Sequence, residues 1–387
     1  MRLDDVRVLD LSRLLPGPYA TQLLADLGAT VLKIEEPADG DYARGMGTVG
    51  ESGYGRIFEA VNRGKRSVAL DLKDEAGREA FYELVEGADV VFETFRPGVA
   101  ERLEIGRETL SRYNEELIYV SLSGYGRESP NAKRAGHDLN YAGASGLLDM
   151  TRPDADSKPT IPGYPVVDMA SGLFSAFSIV SALLARELGS GGTRVDIAMT
   201  DVMLSFSQLF AGGALAGDAP RPGETMLTGK YPCYDVYRTA DGRYLTLAAL
   251  EPKFWNALCA AMDRPELAEN HLSDDPAVRT AVRETLRDAF ESKPLEAWLD
   301  EFEDVDTAVG GVFTLPEALD DPQTAARDMV VTESGAPPRL GFPARTPAAE
   351  SVPTTVPDRG EHTEDALREA GLAPDEIERV LGRDRTE

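Results

Sequence analysis

Short apolar runs alternate with amphipathic segments through the first half of the chain. The runs VRVLDLS and ATVLKIEE have the length and branched side chains of buried strands, and YATQLLADLG between them has helical periodicity and ends in glycine. The alternation continues with strands in KRSVALDL, ADVVFETF and ELIYVSLSGYG and with helices over 75–86 and 108–113. Strands that alternate with helices predict an α/β fold with a mainly parallel, doubly wound sheet.

The pattern changes in the second half. A long apolar segment, 169–188, carries four serines in its first 17 residues and predicts a buried helix that falls short of a membrane span. The Pro- and Gly-rich stretch 217–232 predicts a boundary, and a β-hairpin over 234–250 followed by helical patterns predicts a smaller α+β domain. We therefore expect a large domain over 1–215, completed by 330–387, and a small domain over 225–325.

Charge limits the classes of partner. The 387 residues include 67 acidic and 40 basic side chains, for a formal charge of −27, and eight of the basic residues are lysine. Nucleic acids and anionic membranes require positive surface potential, so we expect neither as a partner. An excess of solvated carboxylates with few lysines is typical of proteins that stay soluble in strong salt, which predicts a halophilic, cytoplasmic protein.

Several familiar signatures are absent or misplaced. Residues 45–50 match GxGxxG, but a dinucleotide site needs that loop directly between the first strand and the first helix. Three dispersed histidines give no transition-metal spacing, so we expect no metal site. Cys233 and Cys259 are too few for a disulfide framework and are expected to be buried. The N-terminus, MRLDDVRVLD, has no signal-peptide layout.

Three titratable residues stand at loop-to-helix or strand-to-helix junctions. His137 follows the strand ELIYVSLSGYG through a polar loop, Asp168 precedes the long apolar helix, and Glu251 follows the strand YLTLAAL. Loops at the carboxyl ends of parallel strands are where open α/β folds bind ligands. The alternatives are ordinary: a surface histidine, an N-cap aspartate and a carboxylate at a helix start. Together the three would form an acid/base set without a conventional nucleophile.

The chain resembles the class III CoA-transferase family of the CaiB/BaiF type, and within it the α-methylacyl-CoA racemase branch. The resemblance to the family's shared core lies in VRVLDLSRLLPGPYATQLLADLGATVLKIEEP, NRGKRSVALDLK, ADVVFETFRPG, IYVSLSGYG and GEHT. The segments GHDLNYAGASG and YDVYRTADGRYLTLAALEPKFW resemble racemases specifically. The resemblance implies a Rossmann-like large domain and an interlocked homodimer, with each active site between the large domain of one subunit and the small domain of the other.

The resemblance also implies roles for single residues. His137 and Asp168 fall on the two acid/base positions of the racemases, and Glu251 falls on the glutamate that orients the histidine, here from the partner chain. Asp138 and Tyr141 fall on positions that line the active site. The residues implied for CoA contact are Arg63, Lys65, Arg66, Arg96 and Arg102. Where the family commonly has Glu-Arg-Pro, this chain has Glu35-Glu36-Pro37, and Arg44 is the candidate substitute for the missing arginine.

Two reactions follow from the resemblance. A racemase would interconvert 2-methylacyl-CoA epimers through an enolate, with CoA as part of the substrate and no prosthetic group. Amides near Met169 are then expected to stabilise the enolate oxygen, and Asp168 is expected to stay ionised in the free enzyme. In a CoA-transferase, Asp168 would instead attack the thioester and form an aspartyl anhydride. A non-catalytic CoA-binding protein is the third alternative.

Overall fold

The computed structural model describes residues 2–333, 338–345 and 355–382, and the chain divides into two units. The larger unit comprises Met1–Ser145, Pro162–Ser207 and Asp328–Glu387, and the smaller comprises Gly146–Ile161 and Gln208–Arg327. The segments 146–161 and 208–215 were expected in the large domain but group with the smaller unit. In the first of them Pro153 packs against Gly223, where an added Cβ would lie 2.1 Å from the Pro153 carbonyl oxygen. Of the predicted completion over 330–387, residues 334–337, 346–354 and 383–387 lie outside the described residues.

The strands follow the alternation seen in the sequence. They are β1 (Arg7–Asp10), β2 (Thr30–Glu35), β3 (Arg66–Ala69), β4 (Val90–Glu93), β5 (Ile118–Ser123), β6 (Arg194–Ala198), β7 (Tyr234–Arg238), β8 (Tyr244–Ala248), β9 (Val309–Gly311), β10 (Val330–Val331) and β11 (Arg339–Leu340). The first six pair in parallel in the order 3-2-1-4-5-6, which is the Rossmann strand order. The predicted α/β class and parallel sheet are confirmed. This order places the topological switch point, where such sheets bind ligands, between β1 and β4.

The helices flank and connect these strands. They are α1 (Pro16–Asp26), α2 (Arg56–Asn62), α3 (Glu75–Glu86), α4 (Val99–Arg102), α5 (Arg107–Leu110), α6 (Asp138–Ala144), α7 (Leu147–Met150), α8 (Val166–Ala185), α9 (Met199–Ser205), α10 (Gln208–Leu215), α11 (Pro252–Ala261), α12 (Pro276–Phe290), α13 (Leu295–Phe302), α14 (Leu315–Asp320), α15 (Pro322–Ala326), α16 (Thr363–Glu369) and α17 (Pro374–Val380). α3 has the bounds predicted from its amphipathic pattern. α8 begins three residues earlier than the predicted helix, at Val166.

One core of the larger unit lies between the sheet and the C-terminal helices. Phe81 and Leu84 of α3 are fully buried, and they share this core with Leu367 of α16 and Ile377 of α17. Each such side chain removed from water contributes roughly 1.5–3 kcal/mol. The last two helices are therefore part of the fold that carries the sheet.

The smaller unit has its own antiparallel sheet and core. β7 and β8 form the predicted hairpin, and β9 pairs with β8 as a third strand. The sequence did not indicate β9, because its three residues, VGG, include two glycines and carry little strand propensity. The core packs Trp255, Leu286, Phe290 and Trp298 against the sheet, together with the two cysteines, which are free and buried as expected.

The helix α8 is both a core element and an exposed one. It approaches α1 closely: a Cβ on Gly172 would lie 2.5 Å from the Pro16 carbonyl oxygen. On its other side Leu173, Phe177 and Leu184 are 56%, 64% and 60% exposed. The prediction of a buried helix therefore holds for the face toward α1 and is wrong for this one. Among the described residues, Val166–Ser190 is long and apolar enough to cross a membrane, and half of its most apolar window is buried.

Candidate functional site

His137 lies at the start of α6, after the loop that follows β5. It occupies the N-cap position, with extended backbone angles, and its side chain is exposed. Its backbone amide donates to Oδ1 of Asn140 at 3.1 Å, while the Asn140 amide donates to the His137 carbonyl at 2.8 Å. These reciprocal bonds fix the backbone at the histidine, and its exposed imidazole can be reached by a ligand.

Asp168 is held at the start of α8 by a residue of α6. Oδ1 of Asp138 accepts from the backbone amides of Val167 and Asp168, at 2.8 and 3.0 Å. Asp138 therefore does for α8 what an N-cap residue does, while the N-cap position itself is occupied by Pro165. Asp168 is the third residue of the helix, so its alternative interpretation as an ordinary N-cap is wrong. The two bonds bring together the N-terminal ends of α6 and α8.

The same contact occupies the amides that were expected to bind an enolate. The Val167 and Asp168 amides both donate to Asp138, and the Met169 amide donates to the Pro165 carbonyl at 3.0 Å. The first turn of α8 therefore has no free donor at these three positions. In α6, by contrast, the amides of Asp138 and Leu139 have no acceptor among the described residues.

The proton affinity of Asp168 differs from the expectation. Burial, together with repulsion from the Asp138 carboxylate, raises the pKa of Asp168 to about 7. A helix N-terminus favours the ionised form by roughly 0.3–1 kcal/mol, which is smaller than the cost of desolvating a carboxylate. Asp168 is therefore close to half protonated at neutral pH without any substrate bound.

Tyr141 forms a wall beside these carboxyl groups. Its hydroxyl donates to the Gly136 carbonyl at 2.7 Å, and its ring meets Tyr125 edge-on at 5.2 Å. The fit requires glycine at 124, where an added Cβ would lie 2.4 Å from the ring. Burial, Tyr125 and Asp168 raise the pKa of Tyr141, so it stays a neutral phenol. The residue thereby ties the loop after β5 to α6.

Glu251 belongs to the smaller unit. It is the exposed N-cap residue of α11, and its carboxylate has no hydrogen-bond partner among the described residues. The preceding backbone is held by His271, whose Nε2 lies 3.0 Å from the Ala249 carbonyl oxygen and whose ring stacks on Trp255 at 5.5 Å. The carboxylate is thus presented on a fixed turn. That it reaches His137 from a partner chain stays a prediction.

Two of the cations expected to contact CoA are committed to buried ion pairs. Arg44 donates to both carboxylate oxygens of Glu35, at 2.9 and 2.6 Å, and to the Pro357 carbonyl. Lys65 lies 3.1 Å from Oδ2 of Asp10 and its ammonium group is fully buried. The proposed substitution of Arg44 for the missing family arginine is therefore not supported, because its partner Glu35 belongs to the same Glu-Glu-Pro segment.

Arg63 and Arg66 are also ion-paired, although closer to the surface. Arg63 contacts Asp26 at 2.7 Å and Arg66 contacts Glu369 at 2.7 Å. Arg96 and Arg102 differ, because both are exposed and neither has a carboxylate partner among the described residues. They follow β4, beside the switch point, and the charge of Arg96 acts on Tyr141. These two are the cations best placed for a polyanionic ligand.

Arg13 was missed from the sequence. It follows β1 at the other side of the switch point, donates to the Tyr42 hydroxyl at 2.9 Å, and lies 6.0 Å from the Phe95 ring centroid. Its position in the first strand-to-helix turn was the available signal, since ligands of this fold bind there. The GxGxxG match at 45–50 lies elsewhere, in a turn after β2 closed by a bridge between Val49 and Gly55. Among the described residues, no group of three or more His, Cys, Asp or Glu side chains could hold a metal ion.

Comparison with known proteins places this site in a family. Residues 3–363 match the model of CoA-transferase family III. The succinyl-CoA:mesaconate CoA-transferase of Haloarcula hispanica is 37% identical over 96% of both chains, and the human alpha-methylacyl-CoA racemase is 34% identical over 97% of this chain and 95% of its own. The crystal structure of a CAIB/BAIF family protein from Brucella suis superposes with a TM-score of 0.83 at 31% identity, over 95% of this chain and 98% of that one. The chain therefore belongs to CoA-transferase family III.

Proposed function

We propose that this protein is an isomerase that interconverts the (2R) and (2S) epimers of 2-methylacyl-CoA thioesters. The observation that carries the proposal is the contact in which Oδ1 of Asp138 accepts from the Val167 and Asp168 amides, because it joins the start of α6, beside His137, to the start of α8. The pKa of Asp168, raised to about 7, allows the same carboxyl group to take a proton or give one at neutral pH. An imidazole side chain can also act as acid or base. His137 and Asp168 thus supply two acid/base groups at the starts of adjoining helices.

The reaction needs a base on one face of the α-carbon and an acid on the other. One group removes the α-proton, and the electron pair of the C–H bond passes into the thioester as an enolate. The other group then delivers a proton to the opposite face, which inverts the α-carbon and regenerates the thioester. His137 and Asp168 exchange these roles between the two directions, and each positioned acid or base contributes roughly 10²–10⁴ in rate.

The enolate oxygen needs hydrogen-bond donors, and α6 offers two of them. Whereas the Val167, Asp168 and Met169 amides of α8 are occupied, the amides of Asp138 and Leu139, next to His137, have no acceptor among the described residues. One such donor is worth about 10²–10³ in rate. Asp138 would then serve twice, through its backbone amide toward the substrate and through its side chain toward Asp168.

CoA enters this proposal as part of the acyl-CoA substrate, with no prosthetic group. The diphosphate and 3′-phosphate of CoA require cations. Arg13, Arg96 and Arg102 lie near the switch point and have no carboxylate partner among the described residues. Arg63 and Arg66 could contribute only by leaving or sharing Asp26 and Glu369. CoA is therefore expected to bind at the loops that follow β1 and β4.

A homodimer completes the proposed site. Residues 173, 177, 180, 184 and 188 form one apolar stripe along α8 and its continuation, and all five are exposed in the single chain. Such a stripe on a helix that is otherwise buried is typical of a protein interface. A second copy of the chain is its proposed partner, and the small domain of that copy would supply Glu251 to orient His137.

A CoA-transferase is the second candidate, and the observation in its favour is sequence identity. The H. hispanica transferase is slightly more similar to this chain than the human racemase, at 37% against 34% identity. In this reaction a carboxylate oxygen of Asp168 attacks the thioester carbonyl and the CoA thiolate leaves. The thiolate then attacks the aspartyl carbonyl of the anhydride, which releases the donor acid and leaves Asp168 as a CoA thioester. The acceptor carboxylate displaces CoA from this thioester to form a second anhydride, and the thiolate attacks the acceptor's carbonyl, which gives the new acyl-CoA and frees Asp168. Asp168 serves both reactions, whereas His137 as a proton carrier serves the isomerase.

One experiment separates the two candidates. A single 2-methylacyl-CoA epimer is incubated with the enzyme in heavy water, with and without a free carboxylic acid. Deuterium at the α-carbon without the acid, together with formation of the other epimer, is the expected result, and His137→Ala should abolish it. Transfer of CoA to the acid without deuterium uptake would establish the transferase instead. Asp168→Ala should impair either activity.

A further inference from the structure

The smaller unit contains a polar cleft that none of the candidate catalytic residues lines. Its volume is about 740 Å³. One wall is the first two turns of α12, which contribute Arg279, Thr280 and Arg283, and the opposite wall is the loop that carries Gly229 and Lys230. Three cations therefore face one cleft in a chain whose formal charge is −27. We refer to it as the α12 cleft.

The charge of Arg279 is not neutralised by the protein. The residue is half-buried, and its Nη1 donates only to the carbonyl oxygens of Ser273 and Asp274, at 3.1 and 2.8 Å. No carboxylate lies within ion-pair distance of it among the described residues. The Nε and Nη2 donors, which form the edge of the guanidinium that binds carboxylates and phosphates in a bidentate manner, therefore have no partner there.

Arg283 and Lys230 are held in place by hydrogen bonds and ion pairs that do not use all of their N–H donors. Arg283 pairs with Asp235 through Nε at 2.9 Å and donates through Nη2 to the Gly229 carbonyl at 2.6 Å. Its Nη1 has no partner among the described residues. Lys230 stands 4.9 Å from the Tyr231 ring centroid and 3.5 Å from Oδ1 of Asp274. The cleft thus has a positioned set of donors rather than mobile surface chains.

Two features of this arrangement are unfavourable without a ligand. Arg279 and Arg283 are four residues apart on one helix face, where like charges repel each other. Arg279 is also the fourth residue of a 15-residue helix, near the N-terminal end at which the helix dipole disfavours a cation. An anion in the cleft would reverse both effects, because it offsets the paired positive charges and is favoured at the helix N-terminus.

We propose that the α12 cleft is a binding site for a compact oxyanion, a phosphate or a small carboxylate. Arg279 is the principal ligand, through its two free donors, and Arg283 and Lys230 complete the positive side. Two carboxylates also line the cleft: Asp235 is paired with Arg283, and Glu224 opposes binding and limits the affinity. The inference does not depend on whether the enzyme is a racemase or a transferase.

Isothermal titration calorimetry of the full chain tests this site with inorganic phosphate and, separately, with succinate, at constant ionic strength set with sodium chloride. At least one of the two anions should bind saturably at one site per chain. Arg279→Gln should weaken that binding about tenfold or more, since a hydrogen bond to a charged group is worth about 1.5–3 kcal/mol. Glu224→Gln should strengthen it, because the variant removes a like charge from the lining.

The matched control is Arg287→Gln, the same substitution two turns along α12, where the side chain is exposed and contacts Asp288 outside the cleft. It should bind the anion as the wild type does. The proposal is overturned if neither anion binds saturably, if Arg279→Gln binds like the wild type, or if Arg287→Gln loses as much. Thermal melting in chloride alone checks that each variant is folded. If Arg279→Gln does not fold, Glu224→Gln replaces it as the test: tighter anion binding supports the site, and unchanged binding overturns it.

Discussion

The proton affinity of Asp168 is set by two neighbours that act in the same direction. Burial is the larger cause and the Asp138 carboxylate is the second, and together they raise the pKa to about 7. Asp138 also fixes the carboxyl group in place, because its Oδ1 accepts from the backbone amides of Val167 and Asp168. Asp138 therefore positions Asp168 through its side-chain oxygen and raises the pKa of Asp168 through its charge. A substitution can separate these two contributions.

Asp138→Asn is the substitution that separates them. The amide oxygen can still accept both backbone bonds, but the negative charge is gone, so the pKa of Asp168 should fall. Activity with Asp168 as base is lost as pH falls through that pKa, and activity with Asp168 as acid is lost as pH rises through it. Both limits should therefore move to lower pH.

The measurement is the pH profile of kcat/KM for each epimer separately. Asp149→Asn is the control, because Asp149 is an exposed carboxylate paired with Arg152 and lies outside this contact. Its profiles should match those of the wild type. Unmoved profiles in a folded Asp138→Asn protein would show that Asp138 does not set the basicity of the catalytic groups.

At the scale of elements, the sequence predicted the sheet better than the contacts between helices. Strand and helix alternation comes from local periodicity, so β1 to β6 and the bounds of α3 could be predicted. The start of α8 could not, because Asp138, which caps it, lies 29 and 30 residues before the two amides that it binds. The buried ion pairs of Lys65 and Arg44 could not be predicted for the same reason. Their partners, Asp10 and Glu35, become their neighbours only when β1, β2 and β3 pair.

Lys65 and Arg66 are adjacent in sequence, but one forms a buried ion pair and the other a more exposed one, so substitutions can test whether each cation is structural. Lys65 joins β3 to β1 through Asp10 and also donates to Thr21 at 2.7 Å, with no solvent access. Lys65→Met would leave the buried Asp10 carboxylate without its ion-pair partner, with only the hydrogen bonds from Ser12 and Thr21 and the charge of Lys33 to compensate. The loss of a buried ion-pair partner costs about 3–5 kcal/mol in the free energy of unfolding. Arg66→Met removes an exposed pair with Glu369 and should cost about 0–1 kcal/mol.

Equilibrium urea denaturation of the two variants beside the wild type measures the difference. A large loss for Lys65→Met and a small one for Arg66→Met would identify Lys65 as a structural cation. If Lys65→Met instead left stability intact and raised the KM for acyl-CoA, the residue would belong to the substrate site as the resemblance implied.

For the whole molecule, the central question is which chain supplies each catalytic group. His137 and Asp168 belong to the larger unit and Glu251 to the smaller one, and α8 exposes an apolar stripe to which a second copy could dock. If each site takes His137 and Asp168 from one subunit and Glu251 from the other, two inactive variants can complement each other. Closed homodimers have two equivalent sites, so the expected yield can be calculated.

His137→Ala and Glu251→Ala are coexpressed with different affinity tags, and the heterodimer is purified through both. One of its two sites then carries both substitutions and the other carries neither, so the heterodimer should recover about half of the wild-type activity. A heterodimer of His137→Ala with Asp168→Ala is the control, because every site in it retains one defect and no activity should return. Recovery in neither heterodimer would mean that each chain builds its site alone, and the apolar stripe on α8 would then serve assembly without contributing to catalysis.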